Sequence, residues 1–188
     1  LQKLKEEGVL NMNKTIPFPL VPQRIAVISS ETAAGYGDFI DTLHKNTYGF
    51  KFVANLFPAI MQGEQSEKSV IEAMDKIYEC DKDYDVTVII RGGGAQSELD
   101  SFNGYDLAFH ITQFPIPVIT GIGHERDETV ADYVSNIALK TPTAVAEFLI
   151  SKMVNFNTLL HDQMEKIINL TKKYLSDNIN LFDKLIVK

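Results

Sequence analysis

Short apolar runs that alternate with helix-like segments constrain the fold of this chain more than any other feature. Four runs rich in β-branched residues are bounded by turn signals, which is typical of buried strands. They are RIAVISS (24–30), FKFVANLFPA (50–59), VTVII (86–90) and IPVITGIG (116–123). Alternating strands and helices favour a parallel sheet, because parallel neighbours need crossover connections. The sequence therefore predicts an α/β fold, with a mostly parallel sheet and helices on both of its faces.

Helical patterns occupy the segments between these runs. The stretch 64–79 places Val70, Ile71, Met74 and Ile77 on one face, as an amphipathic helix requires. Further helices are predicted over 32–43, around 105–110 and over 125–134, and the turn Thr141-Pro142-Thr143 opens the last one. Each predicted strand is thus followed by a helix.

The last predicted helix carries a longer apolar pattern than one domain needs. Its apolar residues recur mostly three and four positions apart: Met153, Phe156, Leu160, Met164, Ile168, Leu175, Ile179, Phe182 and Ile186. A stripe of that length requires a partner, which can be another helix of the same chain or another subunit. We therefore divide the chain into a lead-in and linker (1–23), an α/β catalytic domain (24–150) and an extended helical segment (151–188).

Charge and composition narrow the class of partner. The chain has 188 residues and a formal net charge of −7. Residues 24–140 alone carry −9, from 9 basic and 18 acidic side chains. Such a centre binds polyanions poorly by itself, because affinity for nucleic acid depends largely on Lys and Arg. If the substrate is a nucleic acid, we expect another part of the protein to contribute much of the binding.

The single cysteine and the hydropathy of the sequence indicate the expected cellular compartment. One cysteine, Cys80, excludes an internal disulfide framework and a cysteine-based zinc cluster. No apolar run in the sequence approaches the ~20 residues of a membrane-spanning helix, and residues 1–10 carry charges where a signal peptide needs an apolar core. We expect a cytoplasmic protein without a membrane segment. Because the sequence begins with Leu and ends in an apparent helix, we also expect a longer parent chain.

A glycine-rich turn after the third predicted strand is the first candidate site. In a parallel sheet the ligand crevice lies beyond the carboxyl ends of the strands. There Gly92, Gly93 and Gly94 can curl their N–H groups around an anion, and Arg91 can hold the same phosphate. We add Ser30 and Thr32, at the end of the first strand, as phosphate-binding residues. The alternative is a tight turn with a surface arginine.

The segment GIGHERD, after the fourth predicted strand, has the highest density of side chains that can take part in catalysis. His124 and Asp127 stand three apart, so one helix face would present both side chains. A histidine beside a carboxylate suits proton transfer near neutral pH. The alternative is a histidine bonded for structure at the start of a helix.

Asp38, on the helix after the first strand, completes the predicted set. An acid in the first turns of a helix is also favoured by the helix dipole alone. Together with Arg91 and His124 at the same sheet edge, it indicates phosphoryl or phosphodiester chemistry. We expect no resident metal. A cluster of Glu125, Asp127, Glu128 and Asp132 is the alternative site for Mg²⁺, although such runs are more often solvated helix faces.

Several motifs in the same order make the sequence resemble the exodeoxyribonuclease VII large-subunit family. They are the lead-in LQKLKEEGVLN, the block 22–39, Gln62-Gly63, RGGG with Phe102-Asn103 after it, GIGHERDETVADYV and TPTAVAE (141–147). Two positions depart from the family pattern. Ala95 stands where the family often has Ser, and Ala33-Ala34-Gly35 where it often has Gly-Ala-Ala.

The resemblance implies a single-strand-specific exodeoxyribonuclease. Such an enzyme degrades single-stranded DNA from both ends to short 5′-phosphorylated oligonucleotides, without a strict need for divalent metal. The family carries an oligonucleotide-binding (OB-type) domain before the catalytic part, and small subunits assemble on a coiled-coil arm after it. The family's functional positions correspond here to Asp38, Arg91, His124 and Asp127.

These residues give a mechanistic hypothesis. Arg91 and the N–H groups of residues 92–94 hold the scissile phosphate and stabilise the transition state. His124 acts as general acid or base, Asp127 orients it, and Asp38 positions the attacking water or acts as the base. Two alternatives stay open at this point: a small-molecule phosphohydrolase, and a non-catalytic assembly module whose crevice only binds an anion.

Overall fold

The computed structural model describes residues 1–80, 83–92, 96–122 and 128–186, with the backbone alone for 96–98 and 184. Five parallel strands form one sheet: β1 (Arg24–Ser29), β2 (Val53–Pro58), β3 (Val86–Ile90), β4 (Val118–Gly121) and β5 (Ile137–Ala138). Their order across the sheet is β2-β1-β3-β4-β5. The predicted α/β fold is confirmed, and all described strand pairs are parallel.

The helices alternate with these strands. Their bounds are α1 (Gln2–Glu6), α2 (Met12–Thr15), α3 (Ala34–His44), α4 (Ser66–Tyr78), α5 (Tyr105–Gln113), α6 (Val130–Val134) and α7 (Pro142–Ile186), with a 3₁₀ helix over Gln96–Phe102. In the part of the chain that the structure describes, none of them is both long and apolar enough to cross a membrane.

Helices cover both faces of the sheet, as predicted. Successive residues of a strand point to opposite faces. Ala26 and Ile28 of β1 therefore pack with α4, α5 and α6, whereas Ile25 and Val27 pack with α3 and the first turns of α7. The core thus consists of two apolar layers separated by the sheet.

Near the end of the sheet one prediction was wrong in detail and one strand was missed. The helix expected over 125–134 begins at Val130, because Thr129 and Asp132 form a capping box that fixes its start. Residues 128 and 129 are not helical, and 123–127 lie outside the described residues. The strand β5 was not predicted, because its two residues are too few to give an alternating pattern.

The lead-in packs against the sheet domain. Leu4 is fully buried in the same apolar layer as α4 and α5. Asn13 is also fully buried; its amide donates to the carbonyls of Phe114 and Ile116, and its Oδ1 accepts from the N–H of Val118. These bonds attach the lead-in to the start of β4. The division into 1–23, 24–150 and 151–188 stays a prediction.

The helix α7 is long, as predicted, and has 45 residues. Its first turns, as far as Met153, pack on the sheet. From Asn157 to Ile186, every side chain that the structure describes is exposed. Most of the helix therefore extends away from the sheet domain.

Candidate active site

The strand order places a crevice at the carboxyl ends of β1 and β3. These two strands are neighbours, but β1 continues into α3 on one face of the sheet, whereas β3 leads towards α5 on the other. Where the connections of two neighbouring strands leave on opposite faces, the loops separate and open a ligand crevice. The candidate residues after the first and third strands therefore lie at the edge where α/β proteins bind their ligands.

The crevice has a volume of about 540 Å³, within the range of small-molecule sites. It is lined by Ser30, Thr32, Ala33, Ala34, Ala59, Ile60, Met61, Gln62, Arg91 and Gly92. Four of the predicted phosphate-binding residues are thus together: Ser30, Thr32, Arg91 and Gly92. The hydroxyl oxygens of Ser30 and Thr32 lie 3.3 Å apart.

Arg91 directly follows β3, and its backbone is held from both sides. The hydroxyl of Ser29, on β1, donates to the carbonyl of Ile90 at 2.9 Å. The N–H of Arg91 donates to the carbonyl of Gly121, on β4, at 3.4 Å. Arg91 itself is only 4% exposed. A guanidinium so far removed from water attracts an anion more strongly than one on the surface, since the surrounding dielectric is lower.

Two glycines allow the start of α3 to approach the end of β3. A Cβ built on Gly35 would lie 2.9 Å from the Cα of Gly92 and 3.0 Å from the carbonyl oxygen of Arg91. Any side chain at position 35 would therefore force two backbones apart. A Cβ on Gly92 would in turn lie 3.3 Å from the nitrogen of Gly35. The contact requires glycine at position 35 and keeps the helix start beside Arg91.

The N-terminus of α3 faces the crevice through Ala33 and Ala34. The N-cap residue is Ala33, whose methyl side chain cannot cap the helix, and no side chain among the described residues does so. The first N–H groups of a helix and its dipole attract anions. In the same turn, burial and then the charge of Glu31 raise the pKa of the Tyr36 phenol above its ordinary value. The described wall of the crevice is therefore suited to a phosphate.

Asp38 lies apart from this set. It is exposed on α3 and lines a separate groove of about 700 Å³ between α3 and α7, with Asp41, Lys45, Tyr48 and Glu147 among its neighbours. It is not among the described residues that line the crevice. Asp38 stands four residues after Ala34, so the two share one face of α3.

The remaining predicted residues lie outside the described part of the chain: Gly93, Gly94, His124 and Asp127. The structure does describe what flanks the segment 123–127. Before it, β4 ends beside β3. After it, Oδ1 of Asn103 accepts from the N–H of Val130, at the start of α6. Asn103 was noted in the sequence only as a motif residue, because a contact with Val130 has no signal in a single sequence.

Only half of the alternative acidic cluster lies in the described part of the chain. Within the described ranges no three His, Cys, Asp or Glu side chains are grouped to hold an ion. Asp132, one member of the alternative acidic cluster, accepts at Oδ2 from the backbone and the hydroxyl of Thr129. That carboxylate therefore has a capping role, and Glu125 and Asp127 lie outside the described residues.

Comparison with known proteins identifies relatives over most of the chain. A family model described as exonuclease VII, large subunit, matches residues 9–187. A relative from Clostridium botulinum (strain Loch Maree / Type A3), named exodeoxyribonuclease 7 large subunit, is 34% identical over 182 residues, which are 93% of this chain and 45% of the relative. Equally named relatives from Nostoc sp. (37% identical, 82% of this chain and 37% of the relative) and Halothermothrix orenii (35%, 89% and 41%) also match. The chain spans less than half the length of these curated relatives.

Proposed function

This chain belongs to the exonuclease VII large-subunit family, and from that membership and the crevice we propose that it carries the catalytic part of an exodeoxyribonuclease. The proposed reaction is hydrolysis of phosphodiester bonds in single-stranded DNA, from both ends, to short 5′-phosphorylated oligonucleotides. The observation that carries the proposal is the juxtaposition in one crevice of Arg91, two hydroxyls and an uncapped helix N-terminus. These are groups that bind a phosphodiester.

In the proposed mechanism the scissile phosphate binds against Arg91 and the glycines that follow it. The guanidinium and the N–H groups of residues 92–94 stabilise the charge that grows on the phosphoryl oxygens. Burial of Arg91 and the fixed peptide before it support this role, because an organised group loses little entropy on binding.

Proton transfer is assigned to His124, with Asp127 as the group that orients it. Asp38 positions the attacking water or acts as the base. Its side chain lines the separate groove between α3 and α7, one helical turn after Ala34 at the crevice. Arg91 and His124 then supply the stabilisation that Mg²⁺ gives in two-metal nucleases, so the proposal needs no cofactor. Participation of Mg²⁺ is the alternative.

The proposed partners are the small subunit of the same enzyme and an OB-type domain of the large subunit. Two rows of exposed apolar residues follow α7 at intervals of seven: Leu160, Ile167, Tyr174 and Leu181, and beside them Ile168, Leu175 and Phe182. A heptad period is typical of coiled coils, so we assign this surface to the small subunit. An OB-type domain would supply the binding to single-stranded DNA that the acidic centre lacks. The proposed compartment is the cytoplasm, where the free thiol of Cys80 stays reduced.

The proposal is tested on the complete large subunit assembled with its small subunit. Wild type is expected to release short oligonucleotides from labelled single-stranded DNA and to leave duplex DNA intact. Arg91→Ala is expected to lower the rate by about 10²–10³-fold, because loss of one transition-state donor has an effect of that size. The control is Arg24→Ala, which removes a guanidinium at the opposite end of β1.

Two outcomes would contradict the proposal. Hydrolysis of mononucleotides or sugar phosphates, without cleavage of oligomers, would indicate a small-molecule phosphohydrolase. Normal assembly without turnover on any phosphate ester would indicate an anion-binding module.

A further inference from the structure

The crevice has two chemically different walls, and the proposed mechanism uses only one. The first is the phosphate wall, which consists of Ser30, Thr32, the start of α3, Arg91 and Gly92. The second, the loop wall, consists of residues 59–62 between β2 and α4. It contains no charged side chain, and its groups are apolar except for the amide of Gln62. The loop wall is therefore unsuited to a phosphate and suited to an uncharged group.

Hydrogen bonds hold the backbone of the loop wall in place. The N–H of Ala59 donates to the carbonyl of Ser29, on β1, at 2.9 Å. The N–H of Ile60 donates to the hydroxyl of Ser69, on α4, also at 2.9 Å. Gly63 then turns the chain with φ at +83°. The loop is thus fixed independently of the side chains of Ile60 and Gln62.

The two exposed side chains of this wall have no packing role that accounts for them. Ile60 is 48% exposed although it is large and apolar, and Gln62 is exposed as well, whereas Met61 between them is buried. Ile60 is among the residues that line the crevice. An exposed apolar group inside a polar crevice is what a ligand with an apolar face would cover.

We propose that Ile60 and Gln62 form a nucleoside subsite, which binds the base and sugar of the nucleotide whose phosphate lies against Arg91. This inference rests on the proposed function. Phosphate and base are opposite ends of one nucleotide, so a phosphate on one wall directs the nucleoside towards the other. Ile60 covers a base face whatever its identity, and the amide of Gln62 both donates and accepts. The subsite therefore binds a nucleoside without selecting among the bases.

The test pairs a side-chain deletion with deletion of the base from the substrate. Single-stranded oligonucleotides that carry one abasic residue at successive positions are cleaved by wild type and by Ile60→Ala, in the complete large subunit with its small subunit. In wild type, an abasic residue next to the cleaved bond is expected to raise KM about five-fold, with kcat little changed. In Ile60→Ala, KM for the intact strand rises, and the abasic residue has a clearly smaller effect than in wild type, because the contact of the base with Ile60 is already lost.

The control variant is Val53→Ala, which shortens a similarly exposed side chain of β2 outside the crevice and is expected to leave the abasic effect intact. Ser69→Ala releases the loop backbone while keeping Ile60, so the abasic residue must still raise KM in this variant. If the fold-increases in KM caused by Ile60→Ala and by the abasic residue multiply, no base contacts Ile60. That result would contradict the nucleoside subsite without contradicting the proposed nuclease activity. If wild type fails to cleave the intact strand, the proposed function fails, and the inference fails with it.

Discussion

At the scale of residues, the site depends on contacts between chain segments that lie far apart in sequence. The run RGGG predicted a phosphate-binding turn, and the structure places Arg91 and Gly92 in the crevice with Ser30 and Thr32. The sequence did not predict that Asp38 would line a different groove, because a helical position alone does not show which neighbour a side chain faces. It also gave no sign of the bond from Ser29 to the carbonyl of Ile90, which joins two strands 61 residues apart.

Gly35 and Gly37, two glycines of α3, provide a matched pair of alanine substitutions. Gly35→Ala is expected to lower the free energy of unfolding by about 1–3 kcal/mol, because its Cβ would press on the backbone of Gly92. It is also expected to reduce cleavage, since the helix start moves away from Arg91. Gly37→Ala meets no atom within 4 Å and is expected to raise the same free energy by about 0.5–1 kcal/mol. Urea unfolding and strand cleavage measure both effects.

Equal stability changes for the two variants would show that the close approach at Gly35 has no energetic importance. Full activity of a destabilised Gly35→Ala variant would show that the position of the helix start does not matter for cleavage.

At the scale of elements, helices and strands with long regular sequence patterns were predicted, whereas the shortest strand was missed. The four longer strands and the helices between them were found because each has several residues of regular period. The start of α6 was misplaced because the acidic segment before it continues a helical pattern, while the capping box of Thr129 and Asp132 fixes the true start. The missed β5 has only two residues and is recognised only through its pairing with β4.

The start of β1 provides a pH-dependent prediction. Oδ2 of Asp85 accepts from the N–H groups of Gln23 and Arg24, and Oδ1 accepts from the Arg24 guanidinium at 2.8 Å. Burial by itself raises the pKa of Asp85, but the bonds from the side chain and backbone of Arg24 outweigh it, and the pKa lies below its ordinary 3.8. A group with a lowered pKa stabilises the fold above its ordinary pKa and loses that effect as the pH falls through the folded value.

Asp85→Asn is therefore expected to lower the thermal midpoint at pH 7 and to have a smaller effect at about pH 2, because the stabilisation by the carboxylate is lost as the pH falls through its folded pKa. Thermal unfolding followed by circular dichroism at the two pH values measures the difference. The control is Asp83→Asn, because Asp83 is exposed and lies 3.8 Å from the guanidinium of Arg24. A loss of stability in Asp85→Asn that is equal at both pH values would contradict the charged role of Asp85.

At the scale of the whole molecule, the proposed assembly rests on two features, the charge of the sheet domain and the exposed apolar surface of α7. Residues 24–140 carry a net charge of −9, and the described part of α7 beyond Asn157 is exposed throughout. The length of α7 was predictable from its repeated apolar positions. The partner of α7 was not predictable, because an apolar stripe does not show which surface packs against it.

The stripe of α7 gives a prediction about assembly. Ile167→Asp with Tyr174→Asp places two charges in the heptad row and is expected to weaken association with the small subunit by about 100-fold or more, because a buried unpaired charge is costly. The control, Lys166→Asp with Lys173→Asp, changes the charge at the residues directly before these two. Because Lys166 and Lys173 lie away from both heptad rows, this pair is expected to leave association nearly unchanged. Sedimentation or titration of the complete large subunit with the small subunit measures both. Equal weakening by the two pairs would mean that charge and not the apolar row determines assembly.

The most direct test of the central claim, that a metal-independent site at the Arg91 crevice cleaves DNA, is release of short oligonucleotides in EDTA and in Mg²⁺. Labelled single-stranded DNA is incubated with the complete large subunit and its small subunit, as wild type, Arg91→Ala and His124→Ala. We expect wild type to cleave equally in both buffers and both variants to lose cleavage. Undiminished cleavage by His124→Ala, or loss of wild-type cleavage in EDTA, would contradict this claim and assign the chemistry to a metal held by the acidic cluster.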